Sequence, residues 1–233
     1  MRMLNREKIH HCLELLKENY VQNSVITRVV EVIDYDENQH RDLDFLKLGI
    51  WTYVPKEWFL RTDVFPDLVF IEFGRGIAIG EEKYLIEQIL NTKEVKQKML
   101  AEVNYQNVVE AIKEMGIFSD LVIFAPINHF VRMHVDWMKE AGAMVVVGNE
   151  LIVEANRIPL FWSSKYVDFN DFIIVRRSFG RWIVKPSISE RLSVQIVESS
   201  ERRDKMELKA QTVFHFDIID PSQILILKPQ QTE

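Results

Sequence analysis

The 233-residue sequence predicts an α+β fold, and three patterns support that prediction. Apolar residues recur at helical spacing near the amino terminus, a continuous apolar run lies mid-chain, and residues 206–218 alternate apolar and polar side chains. Hydrophobic residues make up 47% of the chain and charged residues 27%, which is the balance of a globular protein. We therefore expect helices and sheets around a real hydrophobic core.

Composition and charge exclude several classes of protein. No apolar run approaches the roughly 20 residues that a membrane span needs, so no integral membrane protein is expected. The formal net charge of -6 argues against a protein whose main task is to grip nucleic-acid phosphates. The single cysteine, Cys12, excludes a disulfide framework and a cysteine-based zinc site.

The first elements predicted are a helix and an extended arm. Asn5 can cap an amphipathic helix that runs to about Tyr20. Residues 24–35 are rich in β-branched side chains and predict a strand, residues 34–44 predict a charged loop, and residues 48–60 predict a second extended segment. We expect the two strands to form a two-stranded arm with a charged tip, which needs a neighbour to lie against.

The middle of the chain predicts a compact α/β unit. Asn104 can cap a helix that Gly116 ends. Residues 121–125 are continuously apolar, which is typical of a strand buried on both faces, and Pro126 can open the next helix. Short strands are expected to follow at residues 143–147, 151–153, 159–162 and 172–176.

The last quarter of the chain carries the most regular strand pattern. The alternation over residues 206–218 specifies a strand of about 43 Å, at about 3.3 Å per residue. The same alternation at residues 192–196, followed by polar residues 199–204, predicts a long antiparallel hairpin. Phe214 and Phe216 fall on the apolar face of this strand.

Glycines at positions 74, 76 and 80 follow an apolar run and precede a helical stretch. Nucleotide binding is one interpretation, although the spacing GxGxxxG departs from the dinucleotide fingerprint. The structural alternative is that small residues let a helix pack closely against a neighbour. Glycine costs about 1 kcal/mol in a helix interior, so such packing would have to be tight.

The other reactive residue types are interpreted as structural. Cys12 lies on the buried stripe of the first helix, although the adjacent His11 leaves a thiol–imidazole pair open. His129 and His134 fall on different sides of one helix, so they predict no metal site. The pair Glu81–Glu82 is interpreted as a solvated face. We therefore expect no catalytic residues, no cofactor and no metal.

Three stretches of the sequence carry a family resemblance. They are the helix-then-strand run from Asn104 to Pro126, the segments 158–163 and 168–177, and the closing run 206–227 with its Asp220-Pro221 step. Their order resembles the Hong Kong 97 (HK97) capsid fold of tailed-phage major capsid proteins and encapsulins.

The resemblance implies a long spine helix, an extended E-loop, a P-domain with a long-stranded sheet and a compact A-domain. Residues 65–90, with the three glycines inside them, would form the spine helix and not a nucleotide-binding turn. The implied division is an N-terminal helix or arm (1–24), an E-loop-like two-stranded arm (25–60), a P-domain part with the spine helix (61–103), an A-domain (104–188), a P-domain long β-hairpin (189–217) and a C-terminal strand returning to the A-domain (218–233).

The resemblance also implies a structural subunit without enzymatic activity that self-assembles into an icosahedral shell. Two kinds of shell compete: the capsid of a tailed double-stranded DNA virus or provirus, found in the virion, and an encapsulin-like compartment that encloses cargo enzymes in the cytoplasm. A nucleotide-using α/β enzyme, favoured by the glycines alone, is the alternative from another class. The expected partners are further copies of the chain in pentamers and hexamers, with packaged DNA or cargo protein contacted weakly on the inner face, and no membrane.

The arm supplies the candidate intersubunit residues. Its charges are too dense to be buried within one subunit, so we expect some to pair with basic residues of a neighbour. Its aromatic side chains would lie in water in a monomer. The predicted contact residues are Asp34, Asp36, Glu37, Arg41, Asp42, Trp51, Tyr53 and Trp58.

Overall fold

The computed structural model describes residues 6–57, 64–102, 104–114, 120–127, 129, 144–147, 150–153, 160–167, 171–177, 179–185 and 192–230. The chain divides into two units. The first comprises Met1–Thr27, Val32–Glu82 and Trp182–Phe216, and the second comprises Arg28–Glu31, Lys83–Arg181 and Asp217–Glu233. None of the helices within the described ranges is both long and apolar enough to cross a bilayer.

The helices and strands follow the predicted order, with two strands and two short helices added. The helices are α1 (Arg6–Asn23), α2 (Ile26–Val29), α3 (Glu37–His40), α4 (Val64–Asn91) and α5 (Tyr105–Glu114). The strands are β1 (Glu31–Asp34), β2 (Leu46–Pro55), β3 (Lys96–Leu100), β4 (Leu121–Ala125), β5 (Met144–Val147), β6 (Glu150–Val153), β7 (Leu160–Ser163), β8 (Phe172–Arg176), β9 (Gly180–Val184), β10 (Leu192–Glu198), β11 (Lys205–Ile218) and β12 (Ile224–Pro229). The 28-residue α4 is the long helix expected over residues 65–90. The strands β3 and β9 and the short helices α2 and α3 were not expected from the sequence.

The first unit is built on a five-stranded sheet in the order β1-β9-β11-β10, with β2 also paired to β11. The predicted hairpin is confirmed, because β10 pairs antiparallel with β11 from Leu192–Thr212 to Glu198–Met206. Along its other side, β11 pairs antiparallel with β2 from Phe214–Leu46 to Lys205–Pro55. Burial alternates residue by residue along β11 up to Phe216, as the sequence pattern predicted.

One apolar cluster holds the first unit together. It combines buried side chains of α1, α4, β2, β10 and β11, including Leu16, Phe70, Val54, Leu192 and Leu208. Cys12 belongs to this cluster and is fully buried, so its interpretation as a core residue is confirmed. Two helices and three strands therefore bury one continuous core within this unit.

The glycines of α4 lie where other elements approach most closely. A Cβ atom added at Gly74 would overlap the carbonyl oxygen of Leu16 and lie 2.9 Å from the backbone nitrogen of Tyr20. At Gly76 and Gly80, an added Cβ would meet side chains of β2 at 2.7 and 2.8 Å. The close-packing alternative is therefore the one the structure supports. The nucleotide-binding turn is wrong, because all three glycines lie inside a helix.

The predicted strand over residues 24–35 is wrong in its first half. Residues Ile26–Val29 form α2, and the extended conformation is confined to β1. Val25, Ile26 and Val29 are fully buried, so burial overrides the β propensity of these residue types.

The two-stranded arm is also wrong in its pairing. β1 neighbours β9, whereas β2 pairs with β11 along its whole length. β11 offers β2 a long partner, and in that register Leu48 and Ile50 pack on the apolar cluster. Val54 is buried and Leu48 and Ile50 are half-buried on this face of β2, whereas Leu46 and Trp51 stay exposed.

The interpretation of Glu81–Glu82 as a solvated face is wrong. Both residues are buried, Glu81 completely. The phenol of Tyr20 donates a hydrogen bond of 2.6 Å to Oε2 of Glu81, and Ser24 Oγ donates to the same phenol oxygen at 3.3 Å. A buried carboxylate needs such donors, since an unpaired charge in a core costs several kcal/mol, about as much as a whole core side chain contributes.

The second unit contains a seven-stranded sheet in the order β3-β12-β8-β4-β7-β6-β5. Every residue of β4 is buried, as its apolar sequence predicted, and this strand lies between parallel β7 and antiparallel β8.

Asn104 caps α5, because its Oδ1 accepts from the backbone nitrogen of Asn107 at 2.9 Å. β5 to β8 confirm the short strands expected in this region. The cap at Asn5, the helix end at Gly116 and most of the helix after Pro126 lie outside the described residues.

The Asp220-Pro221 step has a local physical role before β12. The Asp220 carboxylate accepts from the backbone nitrogen of Ser222 at 3.0 Å, from its hydroxyl at 2.6 Å and from the amide of Gln223 at 2.9 Å. These hydrogen bonds, first that of the Ser222 side chain, lower the pKa of Asp220. Pro221 needs no N–H in the first turn of the short 3-10 helix that follows.

Candidate assembly surface

The charged loop of the sequence is a folded segment of the first unit. We call residues 35–45, between β1 and β2, the strap. Inside it, Asp36 caps the one-turn helix α3, and its carboxylate accepts from the backbone nitrogen of Asn38 at 2.9 Å. The backbone N–H of Asp36 in turn donates to Nδ1 of His40 at 2.9 Å. The strap is therefore ordered by its own hydrogen bonds.

Both ends of the strap are attached to the sheet. At its start, the backbone nitrogen of Tyr35 donates to the carbonyl oxygen of Val184 at 2.9 Å. At its end, Nδ1 of His215 lies 2.7 Å from the carbonyl oxygen of Asp44, and this ring nitrogen is the donor because a carbonyl oxygen only accepts. The strap is thus tied to β9 and β11 of its own subunit.

The predicted charged contact residues lie on this strap or directly before it. Asp34, Glu37, Arg41 and Asp42 are exposed, and the capping residue Asp36 is half-buried. Exposed charges interact over about 8 Å at physiological ionic strength before salt screens them. Five of the predicted residues therefore lie within residues 34–42, and four of them are exposed to an approaching surface.

The predicted aromatic contact residues lie on β2. Trp51 is 58% exposed, and its ring meets that of Tyr53 edge to face at 5.3 Å between centroids. The guanidinium carbon of Arg202, in the turn of the long hairpin, lies 4.9 Å from the centre of the Tyr53 ring. An exposed tryptophan beside a second aromatic ring is typical of contact surfaces. Trp58, the remaining predicted residue, lies outside the described residues.

Sequence reasoning missed the groups that hold β2 against the hairpin turn. Nζ of Lys56 lies 2.9 Å from a carboxylate oxygen of Glu198, and the Lys56 backbone nitrogen donates to the carbonyl oxygen of Asp204 at 2.9 Å. These residues, like Arg202, meet because of the β2–β11 register. No local pattern in the sequence encodes that register.

The described residues offer little that resembles a catalytic centre. Within these ranges, no group of three or more His, Cys, Asp or Glu side chains could hold a metal ion. An open cleft of about 470 Å³ in the second unit is lined partly by Lys96, Lys98 and Glu114, and the last two form an ion pair. The exposed surface of β2 and the strap is thus the candidate that the sequence and the structure share.

Comparison with known proteins identifies similar folds. The sequence matches no protein-family model and no curated protein sequence. A virus-like particle from Pyrococcus furiosus aligns with a TM-score of 0.63 and 13% identity, over 92% of this chain and 98% of that one. The SrpI encapsulin from Synechococcus elongatus PCC 7942 aligns at 0.60 and 10%, over 79% and 73%. The satellite phage P4 procapsid aligns at 0.57 and 9%, over 99% and 98%. Similarity at these identities shows a shared fold.

Proposed function

We propose that this chain, which has the HK97-type capsid fold expected from its sequence, is the structural subunit of an icosahedral protein shell. The observation that supports this function is the extent of the likeness, because nearly the whole chain corresponds to nearly the whole of a particle-forming subunit. Shell proteins of this kind are structural and are not enzymes. Closed point-group assembly buries the same surface on every identical copy, and the exposed Trp51 with the adjacent Tyr53 is available for such a contact.

The shell that we propose first is the capsid of a tailed double-stranded DNA virus or provirus, so that the chain would reside in the virion. Its likeness to a phage procapsid along almost its full length supports this reading. An encapsulin-like cytoplasmic shell is the second candidate, and the likeness to an encapsulin favours it. In both cases the main partner is a further copy of the chain in pentamers or hexamers, with packaged DNA or cargo protein touching the inner face.

Within either shell, the segment 25–60 is proposed as the E-loop that contacts a neighbouring subunit. The exposed charges Asp34, Glu37, Arg41 and Asp42 would pair across this contact, and Trp51 and Tyr53 would supply its apolar part. Asp36 would act by ordering the strap, since its carboxylate already caps α3. Charged pairs of this kind set register and partner choice more than affinity.

Assembly itself is the first test. We expect the purified protein to elute near the void volume of a sizing column and to appear as hollow particles or discrete capsomers in electron micrographs. A clean monomer of 27.6 kDa at micromolar concentration would contradict the proposal. Particles isolated from the source cells separate the two shells: nuclease-protected DNA indicates a capsid, and a stoichiometric co-purifying protein indicates an encapsulin.

Removal of the strap is the second test. Deleting Asp36 to Asp42 should leave the second unit folded and abolish closed particles, because the proposed neighbour contact is lost. Leu43 and Asp44 remain between Tyr35 and Phe45 as the connection between β1 and β2. Circular dichroism checks folding, and electron microscopy checks assembly.

A less acidic variant of unchanged chain length provides the comparison. The triple variant Asp34→Asn, Glu37→Gln and Asp42→Asn keeps the Asp36 cap and the chain length, so it should fold normally and form fewer particles. Complete shells from the deletion variant would rule out residues 25–60 as the intersubunit E-loop.

A further inference from the structure

The two ends of the strap meet over a single cation. The rings of Tyr35 and Phe45 stand nearly perpendicular, at 81°, with centroids 5.4 Å apart. Nζ of Lys185 lies 4.8 Å from the centre of the Tyr35 ring and 5.4 Å from the centre of the Phe45 ring. Both distances fall within the roughly 6 Å range of a cation–π interaction. One ammonium group therefore contacts the first and the last residue of the strap.

Lys185 is itself held by the sheet. It directly follows β9, and its backbone nitrogen donates to the carbonyl oxygen of Val213 on β11 at 3.0 Å. The preceding carbonyl, that of Val184, accepts from the backbone nitrogen of Tyr35. The backbone of Lys185 is thus fixed to the sheet, while both rings belong to the strap. The exposed Lys185 side chain therefore reaches from the sheet to both ends of the strap.

The geometry points to Lys185 as the latch that holds the strap closed on its own subunit. A closed strap presents Glu37, Arg41 and Asp42 in fixed positions. An open strap would have to be ordered when a second copy binds, and each immobilised side chain opposes association. Lys185 is in this sense a positioning residue for assembly. Only this consequence for assembly rests on the proposed function; the latch does not.

Trypsin cleavage after Arg41 can measure how often the strap opens. Arg41 is the one lysine or arginine between Tyr35 and Phe45, so trypsin can cut inside the strap only after this residue. Cleavage of a folded segment requires local opening, and its rate reports the population of the open form. Two exposed cation–π contacts together stabilise by about 1.4 kcal/mol, which corresponds to about a tenfold change in that population.

The test compares cleavage after Arg41 by mass spectrometry in matched variants. Lys185→Met keeps the aliphatic stem and should be cut about tenfold faster than the wild type. Lys185→Arg keeps the cation and should be cut at the wild-type rate. Lys165→Met is the control, because Nζ of Lys165 lies 5.1 Å from the ring of its own neighbour Tyr166 and closes no loop; it should leave cleavage unchanged.

A second variant covers the case in which Lys185→Met fails to fold. Tyr35→Leu removes one ring but keeps the cation, and it should also accelerate cleavage after Arg41. Wild-type cleavage rates in the folded variants of this pair would overturn the latch. Where the wild type forms particles, Lys185→Met should need a higher protein concentration to do so. Failure of the wild type to assemble would count against the proposed function alone, since the cleavage comparison needs only the monomer.

Discussion

Replacement of Phe214 by aspartate is expected to unfold the first unit. The Phe214 side chain is 2% exposed on the inner face of β11, and its ring stacks on that of Trp182 with 4.2 Å between centroids. Aspartate would leave a cavity and bury a carboxylate without a partner, which costs several kcal/mol. A domain of this size has about 5–15 kcal/mol of stability in total. Thermal denaturation followed by circular dichroism should show a loss of the cooperative transition or a greatly lowered Tm.

The opposite face of the same strand supplies the control for this variant. Lys209 is half-buried and faces away from the apolar cluster, in register with Trp51. Lys209→Asp should therefore retain a Tm close to that of the wild type. Phe216→Asp should resemble Phe214→Asp, because Phe216 is buried and lies 5.4 Å from Trp182 between ring centres. A Phe214→Asp protein that melts like Lys209→Asp would contradict the assignment of the buried face.

Replacement of Gly74 by valine is expected to release α1 from α4. A Cβ at this position would overlap the carbonyl oxygen of Leu16 and crowd the backbone nitrogen of Tyr20. Both atoms belong to the backbone of α1, so no side-chain rotation relieves the contact, and overpacking of this kind costs about 3 kcal/mol or more. Separation of the helices would also break the hydrogen bond between Tyr20 and the buried Glu81. Urea denaturation and hydrogen exchange of the α1 amides measure both effects.

Gly49 is the matched control for this glycine. An added Cβ on Gly49 would have its nearest neighbours at 3.6 and 3.7 Å, which is ordinary van der Waals contact. Gly49→Ala should change the free energy of unfolding by less than about 1 kcal/mol. Equal stability of Gly74→Val and Gly49→Ala, with unchanged protection of α1, would show that α1 does not pack against Gly74.

The sequence by itself determined the elements whose pattern is local. The alternation over residues 206–218 predicted β11, because each side chain of a strand points to the face opposite its neighbour's. The apolar run at residues 121–125 predicted the fully buried β4 for a related reason, since both faces of that strand are covered. The stripe through Cys12 predicted α1 and the burial of its cysteine. The resemblance of residues 104–126, 158–177 and 206–227 to the HK97 family predicted the HK97-type fold, and the similarity to solved structures confirms that fold.

The tertiary structure alone decided which of these elements meet. β2 pairs with β11 and not with β1, and α2 replaces half of a predicted strand, because long-range burial outweighs local propensity. The sequence predicted a solvated Glu81, yet its carboxylate accepts a hydrogen bond from the phenol of Tyr20, 61 positions away. Lys185 contacts the strap at residues far from it in sequence. Alternation along a strand determines which of its faces is buried, but it does not determine which distant segment the strand pairs with.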